Sequence, residues 1–463
     1  MVAGGLLVTT QNASADPVPA AAPTDRPTAC VPQDPANPQP PAPAPTSVDT
    51  VAQAYYCILD HYYGGARLDD RQLLQYAFQA VVRKLRERGA DQPNAVLPAL
   101  SGDHDADWPV FARRLQEVLD AVPDGQEELA VAAVQGLLAA LHDNHAGYQS
   151  AATQGTRPWG LGIGLNHTPT TPETAPAFTG PLFLTTVTAA TPAARAGLKP
   201  GDVIETVNGV PAFTSGQFNA GVLDLLHPPY PQSTPVTLTV RRPATGRTRH
   251  VRVIPGPLPA QPLPHVDATL LPGGIADIRF DAFYPGVAQD ALHAITGLQA
   301  RGKLTGIVFD LRGNHGGVAE EGNKLLGAFV HDATAFSFCD ADGVCEPHAV
   351  DNSTPLLHLP MATLTDDACA SACEVFAAAV KDLHLGTLVG TRTAGANSGP
   401  AYLYALNDGT SLIRMPYQHT IGANGEITDG VGVAPDYNAP QTAADLSKAK
   451  DPALTKATAV LAR

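Results

Sequence analysis

The 463-residue chain lacks any apolar run of the about 20 residues needed to span a bilayer, so no transmembrane helix is expected. Cations are scarce: 29 Lys and Arg stand against 44 Asp and Glu, a formal net charge of −15. That balance argues against nucleic acid or an anionic membrane surface as partner. The six cysteines form no CxxC pair and no Cys/His cluster with zinc spacing, so no structural metal is expected. No cofactor is expected either. The GxSxG nucleophile elbow is absent, which argues against a lipase or esterase of the α/β-hydrolase kind. No internal repeat is evident.

An even number of cysteines fits disulfides in an exported protein. Cys339 and Cys345 bracket a turn that a bridge would close. Cys30 is expected to pin a Pro-rich arm to the first helix through Cys57. Cys369 and Cys373 are then left to pair with each other across a short loop. Near the start, the apolar run Val2 to Val8 and the small-residue site Ala13-Ser14-Ala15 read as a signal-like segment, although a basic n-region is missing. Together these features predict a secreted or cell-envelope protein.

The composition changes along the chain. Residues 1–47 read as the signal-like segment followed by a Pro/Ala-rich extended arm. Residues 48–150 show helical spacing, with helices over Asp69–Val82 and Glu127–His142. Residues 155–256 turn to strand-like alternation broken by Pro and Gly. Residues 265–440 alternate strands and helices. Strands are predicted at Ile275–Phe280, Ile307–Leu311 and Pro355–Leu364, and helices at Gly286–Arg301, Glu320–Phe329 and Cys373–Leu383. That order predicts a mixed α/β sandwich with parallel strands. Residues 441–463 read as a C-terminal tail.

Chemistry concentrates where an apolar strand meets a polar turn and then an apolar helix. The turn holds Ser371. A serine there can expose its hydroxyl while the free N–H groups of the helix start face a developing oxyanion. The plainer reading is an N-cap. A second segment, TGIVFDLRGNHGGV over residues 305–318, ends a buried strand in an acid, a base and paired glycines. Such glycines let backbone amides point into a cleft.

The two segments together resemble the C-terminal processing (tail-specific) serine peptidases. That family's loop is similar to DLRxNxGG, and its nucleophile motif to SASE; this chain has Ser371-Ala372-Cys373-Glu374 in that place. The stretch AGLKPGDVIETVNG over residues 196–209 resembles a PDZ domain. The resemblance spans residues 48–440 and implies a crotonase-like or ClpP-like catalytic core, an inserted PDZ β-domain and a helical segment before it. It also implies a peptide or protein substrate. Ser371 is the implied nucleophile, with Gly316 or Gly317 and Ala372 supplying the oxyanion donors. The loop Gly160-Leu161-Gly162-Ile163-Gly164 would offer amides to a peptide C-terminal carboxylate.

The commonest branch of that family uses a lysine base in a GKG motif, and here that position is Ala396. Lys381 lies in the helix after the serine and is poorly placed to substitute. A histidine is the remaining base. The stretch LHDNHAGY over residues 141–148 resembles the LxDxHxx(F/Y) motif of the tricorn-like, histidine-using branch, which implies His145. His315 in the glycine loop is the alternative, and a base of ordinary pKa would titrate near about 6.5. A His142/His145 metal pair lacks a third ligand. Asp429 occupies the place of the family's acid before the final G-V-x-P-D, with Glu426 as its near rival and a plain turn acid as the bland reading. Two functions remain at this stage: a peptidase with a Ser-His-acid arrangement, or a binding protein on the same fold that has lost catalysis.

Overall fold

The computed structural model describes residues 27, 29–33, 42–150, 158–166, 178, 180–260 and 263–462. The signal-like segment and most of the Pro/Ala arm lie outside them.

Four helices open the described chain: Val48–His61, Asp70–Glu87, His104–Asp120 and Gln126–Ala139. Asp69 and Asp103 cap two of them by accepting backbone N–H bonds, as short acidic side chains do at helix starts. Their apolar faces close around Tyr55, Trp108, Phe111 and Leu137. This core also takes in Tyr404, Leu406, Ile413 and Met415 from much later in the chain. Tyr404, Ile413 and Met415 belong to a three-stranded antiparallel sheet of Gly147–Ser150, Ser411–Pro416 and Ala401–Ala405, and Leu406 directly follows the last of these. Ile413 faces Tyr148 and Arg414 faces Gly147 across the first pair. That register ties the end of the helical segment to the third segment of the chain and fixes where His145 emerges.

The middle segment forms a small β-domain. Its main sheet orders Arg247–Val253, Val236–Arg242, Val203–Val207 and Val210–Pro211. A second pair, Ile163–Leu165 with Leu184–Val187, packs over a separate core of Leu182, Leu198, Val207 and Leu238.

The third segment is a mixed α/β sandwich. Its sheet has six strands in the order Asp267–Leu271, Ile275–Arg279, Gly306–Asp310, Met361–Thr365, Gly386–Gly390 and Tyr437–Asn438. The first pair is antiparallel and the rest are parallel. Gly306–Asp310 and Met361–Thr365 are buried along their whole length, as strands covered on both faces must be. The helices Val287–Gln299, Ala319–Leu326 and Ala372–Asp382 pack on one face through Phe309, Phe283 and Phe376. The other face is covered by the helix Pro452–Leu461 through Ala453 and Ala457 against Val308, Leu364 and Val389. The segment expected to be a tail is therefore folded: it contains this helix and a shorter one, Ala443–Ser447. The Asp451-Pro452 pair starts the long helix, with Asp451 accepting from Leu454 N and proline at a first-turn position where it suits a helix.

Candidate active site

Ser371 stands at the N-cap of Ala372–Asp382, directly after the buried strand Met361–Thr365 and a short polar turn. Its φ of 55° and ψ of −124° put a non-glycine residue in a sparsely populated region. Such a backbone costs on the order of 1–3 kcal/mol and persists only where its surroundings enforce it. The enforcing contacts are visible. Ser371 N donates to Ala396 O at 2.8 Å and to Glu374 Oε2 at 3.3 Å. Cys369 and Cys373 are bridged around it, with Cα atoms 5.4 Å apart. Cys30–Cys57 and Cys339–Cys345 are bridged as well, and no described cysteine is free.

Glu374 braces the Ser371 turn from behind. Fully buried, it accepts from Thr393 Oγ1, Gly395 N, Ala396 N and Ser371 N. Burial pushes its carboxyl up to about 7, opposed by the hydrogen bonds it receives. The Thr393 hydroxyl itself accepts from Val433 N, so its proton points at Glu374. All four partners thus donate, which is the arrangement an ionised carboxylate requires.

His145 lies just before Gly147–Ser150 and is buried. Its Nε2 is 3.2 Å from Ser371 Oγ. Its Nδ1 is 2.6 Å from Asn144 Oδ1. The Asn144 amide donates from Nδ2 to Gly395 O at 3.1 Å and to Asp429 Oδ1 at 3.4 Å. Those two acceptors fix which end of the amide is oxygen. The oxygen faces Nδ1, so Nδ1 carries the imidazole proton and the Nε2 lone pair faces the serine. Burial, followed by the charge of Arg414, pulls His145 down to about 4 against the opposing pull of Asp143. Asp143 accepts from His145 N and from Tyr62 Oη, which holds the turn in place.

Several sequence-based expectations shift here. Asp429 does not bond the imidazole; Asn144 stands between them, and Asp429 also accepts from Asn397 N. Glu426 faces Asp382 instead. His315 is exposed and makes no bond to Ser371, its N–H going to Asp281 O. Lys381 Nζ donates to Ala434 O, away from the site. Ala396, at the lysine position of the commoner branch, supplies the carbonyl that holds Ser371 N.

Of the expected oxyanion donors, Gly316 N is spent on Asn314 Oδ1 at 2.9 Å. The N–H groups of Gly317 and Ala372 have no partner among the described residues. Gly316 still matters sterically. A Cβ there, at φ +90°, would lie 2.7 Å from Ser371 Cβ and 2.6 Å from Ala370 O, so only glycine lets the loop press against Ser371. In the β-domain, Leu161 is buried in the core, while Ile163 and Gly164 pair with Val187 and Thr186. Gly160 pairs with Gly256, and a Cβ on Gly162 would meet Thr191 at 2.4 Å. The N–H groups of Leu161 and Gly162 are unpartnered among the described residues. No group of three or more His, Cys, Asp or Glu able to hold a metal occurs among the described residues.

Residues 274–439 match the family described as Peptidase family S41, and residues 183–242 match the PDZ domain. The core is an S41 peptidase domain.

The S41 match begins just before Ile275–Arg279 and ends just after Tyr437–Asn438, so it holds both the Ser371 turn and the glycine loop. Similar proteins include the chloroplastic C-terminal processing peptidase of Tetradesmus obliquus, 28% identical over 260 residues, 53% of this chain and 54% of that one. The chloroplastic carboxyl-terminal-processing peptidase 2 of Arabidopsis thaliana is 28% identical over 64% of this chain and 55% of its own. The chain therefore spans little more than half the length of these relatives. Among solved structures, mature CPAF superposes with a TM-score of 0.51 at 14% identity, covering 84% of this chain and 97% of that one. That likeness concerns the fold alone. No helix among the described residues is long and apolar enough to cross a membrane.

Sequence reasoning missed two residues beside the S41 site. Asn144 falls at an unspecified position of the LxDxHxx(F/Y) motif, so the motif assigns it no role. Arg414 sits in the run SLIRMP, where a single cation in an apolar strand was the available signal.

Proposed function

We propose that the protein is an exported serine endopeptidase that cuts peptide bonds through Ser371, with His145 as general base and Asn144 holding the imidazole. The observation that carries the reading is the 3.2 Å approach of His145 Nε2 to Ser371 Oγ, across 226 residues of sequence, with the other ring nitrogen held by an amide oxygen. In the reaction, Nε2 takes the serine proton as Oγ attacks the scissile carbonyl, and later returns it to the leaving amine. The carbonyl oxygen becomes an anion between the free N–H groups of Gly317 and Ala372. Asp429 steadies the Asn144 amide from behind.

The unpartnered amides of Leu161 and Gly162 support a β-domain that captures the C-terminal carboxylate of a substrate, as PDZ domains do by strand addition. The three bridged cysteine pairs and the apolar start of the chain support export to an oxidising compartment. Incubation with an unfolded protein substrate tests the reading. Wild type should release defined fragments, and Ser371→Ala, correctly folded by circular dichroism, should release none. Intact substrate with both proteins would leave the chain as a binding protein on this fold.

A further inference from the structure

Arg414 lies in the middle of Ser411–Pro416, whose other residues are all buried. Its neighbours Ile413 and Met415 point into the core beneath the N-terminal helices. By strand alternation Arg414 points to the opposite face. There it is flanked by Gly147 on one side and Leu403 on the other. A Cβ built on Gly147 would meet nothing within 4 Å, so the space directly over Gly147 on that face is open.

Among the described residues the guanidinium has no hydrogen bond and no ion pair, although it is only partly exposed. The arginines near the glycine loop and in the β-domain behave differently: Arg312 is forked onto Asp310 and Asp451, and Arg242 onto Asp202. No Arg414 nitrogen is buried without a partner, so its five donors reach solvent and stand ready to meet an acceptor that displaces water. Its charge acts on His145, and the charge of Asp143 acts on it in turn. Asp143 is already engaged by Tyr62 Oη and His145 N, and does not close an ion pair with Arg414.

We propose that Arg414 is a specificity residue that binds a carboxylate on the departing segment of the peptide; this rests on the peptidase reading above. The side follows from the chemistry. His145 must hand its proton to the leaving amine, so the segment beyond the cut lies against the imidazole and its neighbours. A guanidinium fork suits a planar carboxylate, which it can grip through two parallel hydrogen bonds. The carboxylate comes either from an Asp or Glu side chain just past the cut or from the substrate's own terminus. A bound carboxylate also offsets a cation that otherwise disfavours the imidazolium formed during the reaction.

The test is equilibrium binding to the Ser371→Ala protein, which needs no turnover. Four matched fluorescent peptides carry Glu or Gln in the segment and end in a free acid or an amide. Peptides bearing the carboxylate should bind about 10- to 100-fold more tightly, the range for hydrogen bonds to a charged group. Adding Arg414→Gln should erase that preference, and Arg414→Lys should keep part of it, through charge without the fork. A Glu-over-Gln preference among the amides identifies a side-chain carboxylate. An acid-over-amide preference lost with Arg414 identifies the terminus. Equal affinities throughout, or a preference that survives Arg414→Gln, overturns the proposal; the latter result would assign carboxylate reading to the β-domain loop. If Arg414→Gln fails to fold, Arg414→Lys decides: an undiminished preference overturns the proposal and a reduced one supports it. Fluorophosphonate labelling of the wild type is scored separately. A protein that labels without preference keeps the peptidase and loses this role for Arg414, whereas preference without labelling keeps the binding site and loses the hydrolysis.

Discussion

A histidine pulled down to about 4 is a neutral base throughout the physiological range. The base must be unprotonated to act, so activity is present above its pKa and lost as the pH falls through it. The acid limb of kcat/KM should therefore fall near pH 4, well below the value near 6.5 expected of an ordinary histidine. A limb near 6.5 would mean that water reaches the imidazole in the working enzyme. Asn144→Ala removes the acceptor that sets the tautomer, and kcat should drop on the order of 10²–10⁴, as when a triad loses its orienting group. Asn144→Asp places a carboxylate against Nδ1 and should move the acid limb upward, since an adjacent negative charge favours the imidazolium. Asp429→Ala should cost less, about 1 kcal/mol or roughly fivefold in kcat/KM, because it only steadies the amide. Steady-state kinetics on these variants separates the roles. An Asp429 variant more damaging than Asn144→Ala would restore the acid as the direct partner.

The serine turn is held by one carboxylate and one disulfide, and they should fail differently. Glu374→Gln turns one oxygen into an NH₂ group facing donors from the backbone or from Thr393. A buried donor left against donors costs about 1–3 kcal/mol, and the strained φ at Ser371 loses its restraint. Stability by denaturant titration and serine reactivity should both fall. Replacing Cys369 and Cys373 by alanine removes a closed loop of sequence separation 4, whose chain-entropy contribution is small. That variant should melt within a few degrees of wild type while reacting more slowly at Ser371. A large loss of melting temperature with unchanged reactivity would show that the bridge serves the fold and leaves the nucleophile alone.

At the scale of the whole molecule, the segment from Ala443 onward joins parts that are distant in sequence. The short helix Ala443–Ser447 lies on the β-domain, where Ala443 and Leu446 pack on Phe183 and Val203, and Ser447 Oγ accepts from Ala244 N. A few residues on, Asp451 accepts from both terminal nitrogens of Arg312, at 3.0 and 2.8 Å. Arg312 immediately precedes Gly313, whose N–H is held by Asp366. Asp451→Ala should destabilise the protein by about 1–3 kcal/mol and slow the reaction at Ser371, because the glycine loop loses one anchor. A purely local helix-cap effect would lower stability and leave reactivity unchanged. Of this arrangement, Ser371, His145 and the glycine loop were legible, since each sits in a compact motif whose residue types state their chemistry. The parallel sheet was legible from its apolar runs. Asn144 was not, because an asparagine in a turn is ordinary until the fold brings Gly395 and Asp429 to its amide. The helix Pro452–Leu461 was not either, because Ala and Thr give its pattern little amphipathic contrast, although Asp451-Pro452 marks a start. Arg414 depends on a strand register that only the folded chain supplies.

The central claim is that His145 activates Ser371. Labelling with a fluorophosphonate followed by peptide mapping tests it most directly, because the probe reacts only with an activated serine. Wild type should carry the adduct on Ser371, with none in Ser371→Ala and only a trace in His145→Ala. An unlabelled wild type, or His145→Ala labelled at the wild-type rate, would contradict the account.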